Sequence, residues 1–303
     1  MAEPAVTSAE IAARRMPFDA ACGSVLGREH ALAGRNNQDA YCCRQDEHGL
    51  IAVVCDGCSS ARHSEVGAKL GARLLVETLH ARLPLLDAAD PAEFLETARQ
   101  DMLRQAEALV SALGPERVAN VNAYLLFTVV GALISVCHGQ PPLAVGCPCP
   151  PRAVVFALGD GVAFLNGSPL DLPPANNRPP YLCYALIEGA LDAMRGEDLR
   201  FRVLADLPSA NIETLVLGSD GAAALCGAPA GQDAAGALRE FWTEDRFFTN
   251  PQTLTRRLVQ LNREVKTIDW EARRVDRKSG PLLDDTTLIV IRRRIVPRAS
   301  GPC

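Results

Sequence analysis

The sequence predicts an α+β fold in which sheet layers are covered by helix pairs. Three observations carry that expectation. Of the 303 residues, 48% are hydrophobic and 22% charged, which is enough to bury a sizeable core and unlike a disordered chain. The predicted elements come in blocks (β-rich, two helices, β-rich, two helices, one strand) rather than in alternating βαβ units. Residues 118–151 contain no Asp, Glu, Lys or Arg, and their strongest part, 123–137, is rich in β-branched and aromatic residues. A spanning helix needs about 20 apolar residues, so this shorter run reads as a strand buried on both faces, and no membrane association is expected.

Residues 1–17 read as a loose N-terminal arm, 18–295 as one domain and 296–303 as a C-terminal tail. The first residues carry Glu3, Glu10, Arg14 and Arg15 and lack an apolar core, so no export signal is expected. That points to the cytoplasm, where thiols stay reduced, and most of the 11 cysteines read as small core hydrophobes. Strands are expected over 20–26, 40–44 and 50–55. The turn sequence Gln45-Asp46-Glu47-His48-Gly49 joins the last two into a hairpin ending at Asp56-Gly57.

Residues 64–83 read as a helix, with Ser64 as its cap and Val66, Leu70, Leu74 and Leu75 at helical spacing. Gly67, Ala68 and Gly71 would let a neighbour approach closely. A second helix covers about 91–113, with Pro91 in its first turn and Gly114-Pro115 ending it. Strands follow near 122–137, 153–158 and 161–166, the first two separated by a proline-rich loop. Further strands are expected at 182–187, 200–205 and 213–219. Helices are expected at about 233–242 and 251–274, and a last strand at 286–292.

The chemistry sits at strand ends. Aspartates stand at the ends of apolar strands in Asn37-Gln38-Asp39-Ala40, Val54-Cys55-Asp56-Gly57, Ser219-Asp220-Gly221 and Leu283-Asp284-Asp285-Thr286-Thr287, and more weakly in Gly159-Asp160-Gly161. A carboxylate just past a buried strand stands at the rim of a core, partly desolvated. Several converging there repel one another and raise each other's pKa, and a divalent cation relieves that cost. An all-oxygen donor set suits hard cations such as Mg²⁺ or Mn²⁺. A single Asp-Gly is an ordinary turn pair; three of them, each after an apolar run, make a pattern.

In this order the segments resemble the signature of the metal-dependent PPM/PP2C-type serine/threonine protein phosphatases. The region Gly27-Arg28-Glu29-His30…Gly34…Gln38-Asp39-Ala40 looks closest to a bacterial subgroup. The resemblance implies a four-layer α-β-β-α sandwich of two antiparallel sheets flanked by helix pairs. It also implies a site holding two Mg²⁺ or Mn²⁺ ions, with room for a third, at one edge of the sandwich. Asp56 would bridge the ions and the Gly57 carbonyl would bind one. Asp220 and Asp284 would hold the other, Asp39 would act through bound water, and Asp160 would serve a third ion. Asp285 competes with Asp284 for its role and is expected to assist from behind it. The implied catalytic pair is Asp39 and Asp56, and the implied reaction is attack of a metal-bridging hydroxide on a phosphoserine or phosphothreonine. No phosphoenzyme is needed on this route, so Cys55 and Cys58 are not expected to be nucleophiles.

The chain departs from the family in two places. The phosphate-gripping arginine expected five residues before Asp39 is Gly34; Arg35, His30 and Arg28 are the candidates to replace it. The histidine that some relatives carry after the Asp-Gly pair is Cys58, with His63 five residues on. These departures motivate an alternative, a catalytically impaired module of the same fold that binds a phosphorylated or regulatory partner. His138 with Cys147 and Cys149 lacks the Cys-x₂-Cys spacing of structural zinc sites, and zinc is not expected. Asn176, Asn177 and Glu188 are candidates for the substrate side. The partner expected is a phosphoprotein substrate, with no nucleic acid given the net charge of −5, and the chain is expected to be a monomer.

Overall fold

In a computed structural model of the chain, residues 16–136, 150–172, 179–189, 199–226 and 234–294 are described. Two five-stranded sheets stack face to face. One orders its strands β1 (Phe18–Val25), β12 (Thr286–Arg293), β9 (Thr214–Gly218), β6 (Val162–Leu165) and β7 (Ser168–Pro169). The other runs β2 (Asp39–Asp46), β3 (Gly49–Asp56), β4 (Val129–Ser135), β5 (Arg152–Leu158) and β8 (Arg202–Pro208). All neighbouring strands are antiparallel. The core between the sheets is aliphatic, with Leu50, Ala52 and Val130 facing Leu215, Leu217 and Ile289.

Outside the second sheet lie α2 (Ser64–Arg82) and α3 (Pro91–Leu113), after the short α1 (Arg28–Leu32); α4 (Arg117–Tyr124) follows them. A short α5 (Ala223–Cys226) follows β9, and α6 (Ala234–Thr243), α7 (Arg246–Thr249) and α8 (Thr253–Leu261) cover the first sheet. The four layers expected from the sequence are present. A separate hairpin of β10 (Val265–Asp269) and β11 (Arg274–Lys278) pairs with neither sheet.

The α2 helix shows why burial overrides a simple apolar count. Its buried face is Gly67, Ala68, Gly71, Ala72, Leu75, Val76 and Leu79, whereas Val66 and Leu70 are exposed. The expected apolar stripe is therefore rotated toward the small residues, as the Gly67-Ala68-Gly71 run suggested. A Cβ on Gly67 would stand 1.8 Å from the Tyr124 carbonyl oxygen, so α2 and the end of α4 meet backbone to backbone. Leu75 and Leu79 are fully buried, worth roughly 1.5–3 kcal/mol each. Ser64 is not the cap. Its buried hydroxyl accepts a hydrogen bond from Gln38 Nε2 at 2.7 Å, and His63 occupies the cap position. On α3, Pro91 does open the first turn, and the Asp90 carboxylate caps it by accepting from the N–H groups of Ala92 and Glu93.

Three further expectations give way. The start of the charge-free stretch is helix α4, and among its described residues the strand is confined to Val129–Ser135, buried throughout. The apolar run at 182–187 forms a 3₁₀ turn, Leu182–Leu186, rather than a strand. The long helix expected over 251–274 stops at Leu261, and the hairpin β10–β11 replaces its second half. Cys22, Cys42, Cys43, Cys55, Cys58, Cys183 and Cys226 are free thiols; Cys55 and Cys183 are fully buried and the others partly so. No helix among the described residues is long and apolar enough to cross a membrane.

Candidate functional site

Antiparallel pairing brings the strand-end aspartates to one end of the sandwich. In the β2–β3 register Asp39 stands directly opposite Asp56, so both carboxylates leave the same face of the hairpin. Asp160 follows β5, whose last residue Leu158 pairs with Val129 at the start of β4, and the Thr128 N–H beside it donates to the Asp56 carbonyl at 2.8 Å. Asp220 follows β9, and Asp284-Asp285 precede β12, which pairs with β9 through Leu288 and Gly218. A Cβ on Gly221 would stand 2.0 Å from the Asp285 carbonyl oxygen; only glycine lets these two loops close.

Burial grades the cluster from floor to mouth. Asp39 is 3% exposed, Asp56 and Asp160 are half-buried, and Asp220 and Asp284 are exposed. Burial pushes the Asp39 carboxyl up to about 7, against hydrogen bonds from Ser219 and Thr287 that favour its charged form, and neighbouring Asp285 and Asp220 add to the rise. Asp56 is raised well above the carboxylate range by burial, then by the charges of Asp39 and Asp220. Asp160 and Asp284 are raised by burial first and by Asp220 next. The Ser219 hydroxyl donates to Asp39 Oδ2 at 2.6 Å. Asp39 Oδ1 is buried and has no protein donor.

A buried carboxylate oxygen without a donor, among acids that repel one another, fits a bound divalent cation or its water ligand. The donors are all hard oxygens, which suits Mg²⁺ or Mn²⁺. His30, Asp284 and Asp285 form a second cluster able to hold an ion, their ligand atoms lying within 4.8 Å of one another. His30 Nδ1 is 2.8 Å from Asp285 Oδ2 and 3.6 Å from Asp284 Oδ1. The buried Asp285 also accepts from two backbone groups, Gly27 N–H at 2.7 Å and Gln38 N–H at 2.6 Å. It ties the loop after β1 to the start of β2, and so positions Asp39.

The other described candidates lie on loops, strand ends and helix starts. Gly57 donates its N–H to the Gln38 carbonyl at 3.2 Å. Exposed Arg35 donates to the Ser59 carbonyl, in the loop that follows Gly57. Gly34, at φ +66°, ends the α1 turn in a left-handed conformation that suits glycine and offers no side chain to a phosphate. His63 stacks on Tyr124 at 5.1 Å between ring centres and lies at the start of α2. Glu188 is exposed. His138, Cys147, Cys149, Asn176 and Asn177 lie outside the described residues.

Sequence reasoning missed three participants. Ser219 orients Asp39, and its place directly before Asp220 was the available signal. Gln38 links Asp285, Gly57 and Ser64. Tyr181 hydrogen-bonds the Cys58 thiol and is close enough to Asp56 to feel its charge; nothing in its surroundings marks it in sequence. Burial pushes the Cys58 thiol up, but hydrogen bonds from Ser60, Tyr181 and two backbone groups outweigh it and hold the thiol below its ordinary value.

Fold and site together define an α-β-β-α sandwich protein whose two sheets present a carboxylate cluster at one end. The protein phosphatase 2C family matches residues 26–264, and the chain belongs to that family. No curated protein matches it. Among solved structures, the serine/threonine phosphatase Stp1 from Staphylococcus aureus is 14% identical over 92% of this chain and 98% of its own, with a TM-score of 0.48. PppA, described as a key regulatory component of T6SS in Pseudomonas aeruginosa, is 19% identical over 91% and 98%, with a TM-score of 0.45. A C. elegans sex determining protein is 11% identical over 92% of this chain and 66% of its own, with a TM-score of 0.54. At that identity the last likeness bears on the fold alone.

Proposed function

We propose that the chain is a metal-dependent phosphatase that hydrolyses phosphoserine and phosphothreonine in proteins. The observation that carries this reading is the convergence of Asp39, Asp56, Asp160, Asp220 and Asp284 at one end of a PP2C-family sandwich, with a buried oxygen of Asp39 left without a donor. Asp56, Asp220 and Asp284, with the Gly57 carbonyl, would hold a pair of Mg²⁺ or Mn²⁺ ions, with Asp39 reaching them through water and Asp160 available to a third. Such a pair, when bound, activates water near neutral pH and clamps phosphoryl oxygens.

The chain's own residues then do the rest. Ser219 and Thr287 fix the Asp39 carboxylate, so that its free oxygen can accept a proton from water on the way to phosphorus. Asp285 holds the loop carrying Gly27 against the start of β2 and keeps Asp39 opposite Asp56. Arg35, next to the loop after Gly57, and His30 would be the groups that meet a phosphate. Protonation of the departing seryl or threonyl oxygen falls to a solvent water at the open mouth near Asp220 and Asp284.

The test is hydrolysis of a phosphoserine peptide with Mn²⁺, abolished by chelator. Asp56→Asn should cost more than the roughly 10–100-fold typical of residues that only support a metal ligand. Full activity in that variant would reject the assignment. A parent chain that folds but takes up no Mn²⁺ by calorimetry would favour the non-catalytic module, for which the glycine at position 34 is the motivating observation.

A further inference from the structure

Among the described residues the hairpin β10–β11 has no buried side chain. Across residues 263–278 every position is exposed except half-buried Asp269, and both outer strand edges are unpaired among the described residues. A lone two-stranded hairpin is marginal in water, and open edges invite a third strand. Yet this one carries Val265, Ile268, Trp270 and Val275 at 54, 51, 80 and 53% exposure. It begins one residue after the family match ends.

Strand alternation sorts its side chains. On one face Asp269 lies opposite Arg274 and Thr267 opposite Asp276, and Arg274 pairs with both acids at 3.8 and 3.2 Å. On the other face Ile268 lies opposite Val275, and Lys266 directly opposite Arg277. Like charges directly across a ladder are destabilising. Lys266 reaches Glu264 at 3.3 Å, but Arg277 has no carboxylate partner among the described residues. Residues 263–278 hold six Lys or Arg against four Asp or Glu, a local +2 in a chain of net charge −5.

The hairpin stem is fixed beside the site. Asn262 donates to the Leu26 carbonyl and accepts from the Leu282 N–H at 3.2 Å, and the Leu283 carbonyl accepts from the Glu29 N–H at 2.9 Å. The next residue is Asp284. One apolar pair, Ile268 and Val275, stands beside one cationic pair, Lys266 and Arg277, on an open-edged hairpin whose stem adjoins the loop before Asp284, and this calls for an extended anionic segment with apolar side chains.

Resting on the phosphatase reading above, we propose that the Lys266–Ile268–Val275–Arg277 face docks an acidic segment flanking the phosphorylated residue of the substrate protein. Recognition combines strand addition at the hairpin edge with charge pairing on Lys266 and Arg277. No hairpin side chain is buried among the described residues, so its variants should fold.

The experiment compares parent and Lys266→Glu/Arg277→Glu with Mn²⁺ on three substrates: a phosphoserine peptide with acidic flanks, one with basic flanks, and p-nitrophenyl phosphate. The variant should raise KM for the acidic peptide about tenfold, leave p-nitrophenyl phosphate unchanged, and lose the acidic-over-basic preference. Binding of the unphosphorylated acidic peptide to metal-free protein, read by Trp270 fluorescence, should weaken in parallel. Hydrolysis with no peptide preference, or a preference the variant keeps, overturns the docking proposal. No hydrolysis of any substrate by the parent overturns the phosphatase reading instead, and the fluorescence arm still decides docking. Concentration-dependent dimerisation of the parent that the variant abolishes, without a peptide effect, would assign the face to a second copy of the chain and overturn the proposal.

Discussion

Two antiparallel hairpins in this chain, β2–β3 and β10–β11, share a topology and differ in what surrounds them. Every residue of β3 except Asp56 is buried, packed on one side by α2 and on the other by the opposite sheet. No residue of β11 is buried, and β10 contributes only a half-buried Asp269. The first hairpin can hold two repelling carboxylates opposite one another because its packing fixes the backbone. The second has backbone hydrogen bonds and little else, and places apolar and cationic side chains in water. Rigid packing supports the candidate chemistry, while the unpacked ribbon is free to meet a partner.

The largest difference should appear in the same substitution made in both. Ile51 is fully buried between β3 and the α2 layer, and Ile51→Ala should destabilise the chain by about 2–5 kcal/mol. Ile268→Ala, at 51% exposure, should stay within about 0.5 kcal/mol of the parent. Urea denaturation followed by far-UV circular dichroism measures both. Equal losses would mean the β10–β11 hairpin packs on the body after all.

The next effect concerns the charge that β2–β3 carries. In the metal-free chain the folded state holds the Asp39 proton up to about pH 7, against an ordinary value of 3.8. Between those values the folded state binds more protons than the unfolded state, so stability falls as pH rises from about 4 to about 7 and stays low above. The full shift corresponds to about 4 kcal/mol, and loss of the ideal Ser219 contact in Asp39→Asn would return part of it. Asp39→Asn should therefore gain about 4 kcal/mol on the metal-free parent between pH 4 and pH 8, standing about 2 kcal/mol more stable at pH 8 and about 2 kcal/mol less stable near pH 4, where only the lost Ser219 contact counts. Mn²⁺ should raise the melting temperature of the parent at pH 8 more than that of the variant. A parent whose stability is flat from pH 4 to 8 would contradict the buried, unpaired carboxyl.

The same contrast explains what could be read from sequence. The β2–β3 hairpin is legible because a polar turn separates two apolar runs whose burial demands strands, and the site aspartates are legible as residues at one end or the other of such strands. Over β10, Leu254, Leu258, Leu261, Val265 and Ile268 keep helical spacing across the true end of α8 with no glycine or proline between them, a pattern that a helix over 251–274 also fits. Periodicity reports structure only where a face is buried, and beyond Leu261 none is. In the site, Ser219 and Gln38 act through contacts between segments far apart in the chain, such as Ser219 with Asp39; local pattern shows that Ser219 adjoins Asp220 but not which carboxylate it reaches.

The smallest effect isolates the hairpin's own electrostatics. Lys266 and Arg277 face one another across the ladder, and their repulsion opposes pairing that has no tertiary support. Arg277→Glu converts the pair to opposite charges, which should stabilise the hairpin by about 0.2–1 kcal/mol. Global stability should not change, because the hairpin opens locally without the sandwich unfolding. Amide hydrogen exchange of 265–278 should slow by roughly two- to fivefold in the variant at low salt, with exchange in β3 unaltered, and the gain should shrink as salt screens the pair. The substitution that makes the ribbon more stable is also one that the docking proposal expects to weaken binding of an acidic peptide. Faster exchange, or slower exchange with undiminished peptide binding, would separate the two roles assigned to Arg277.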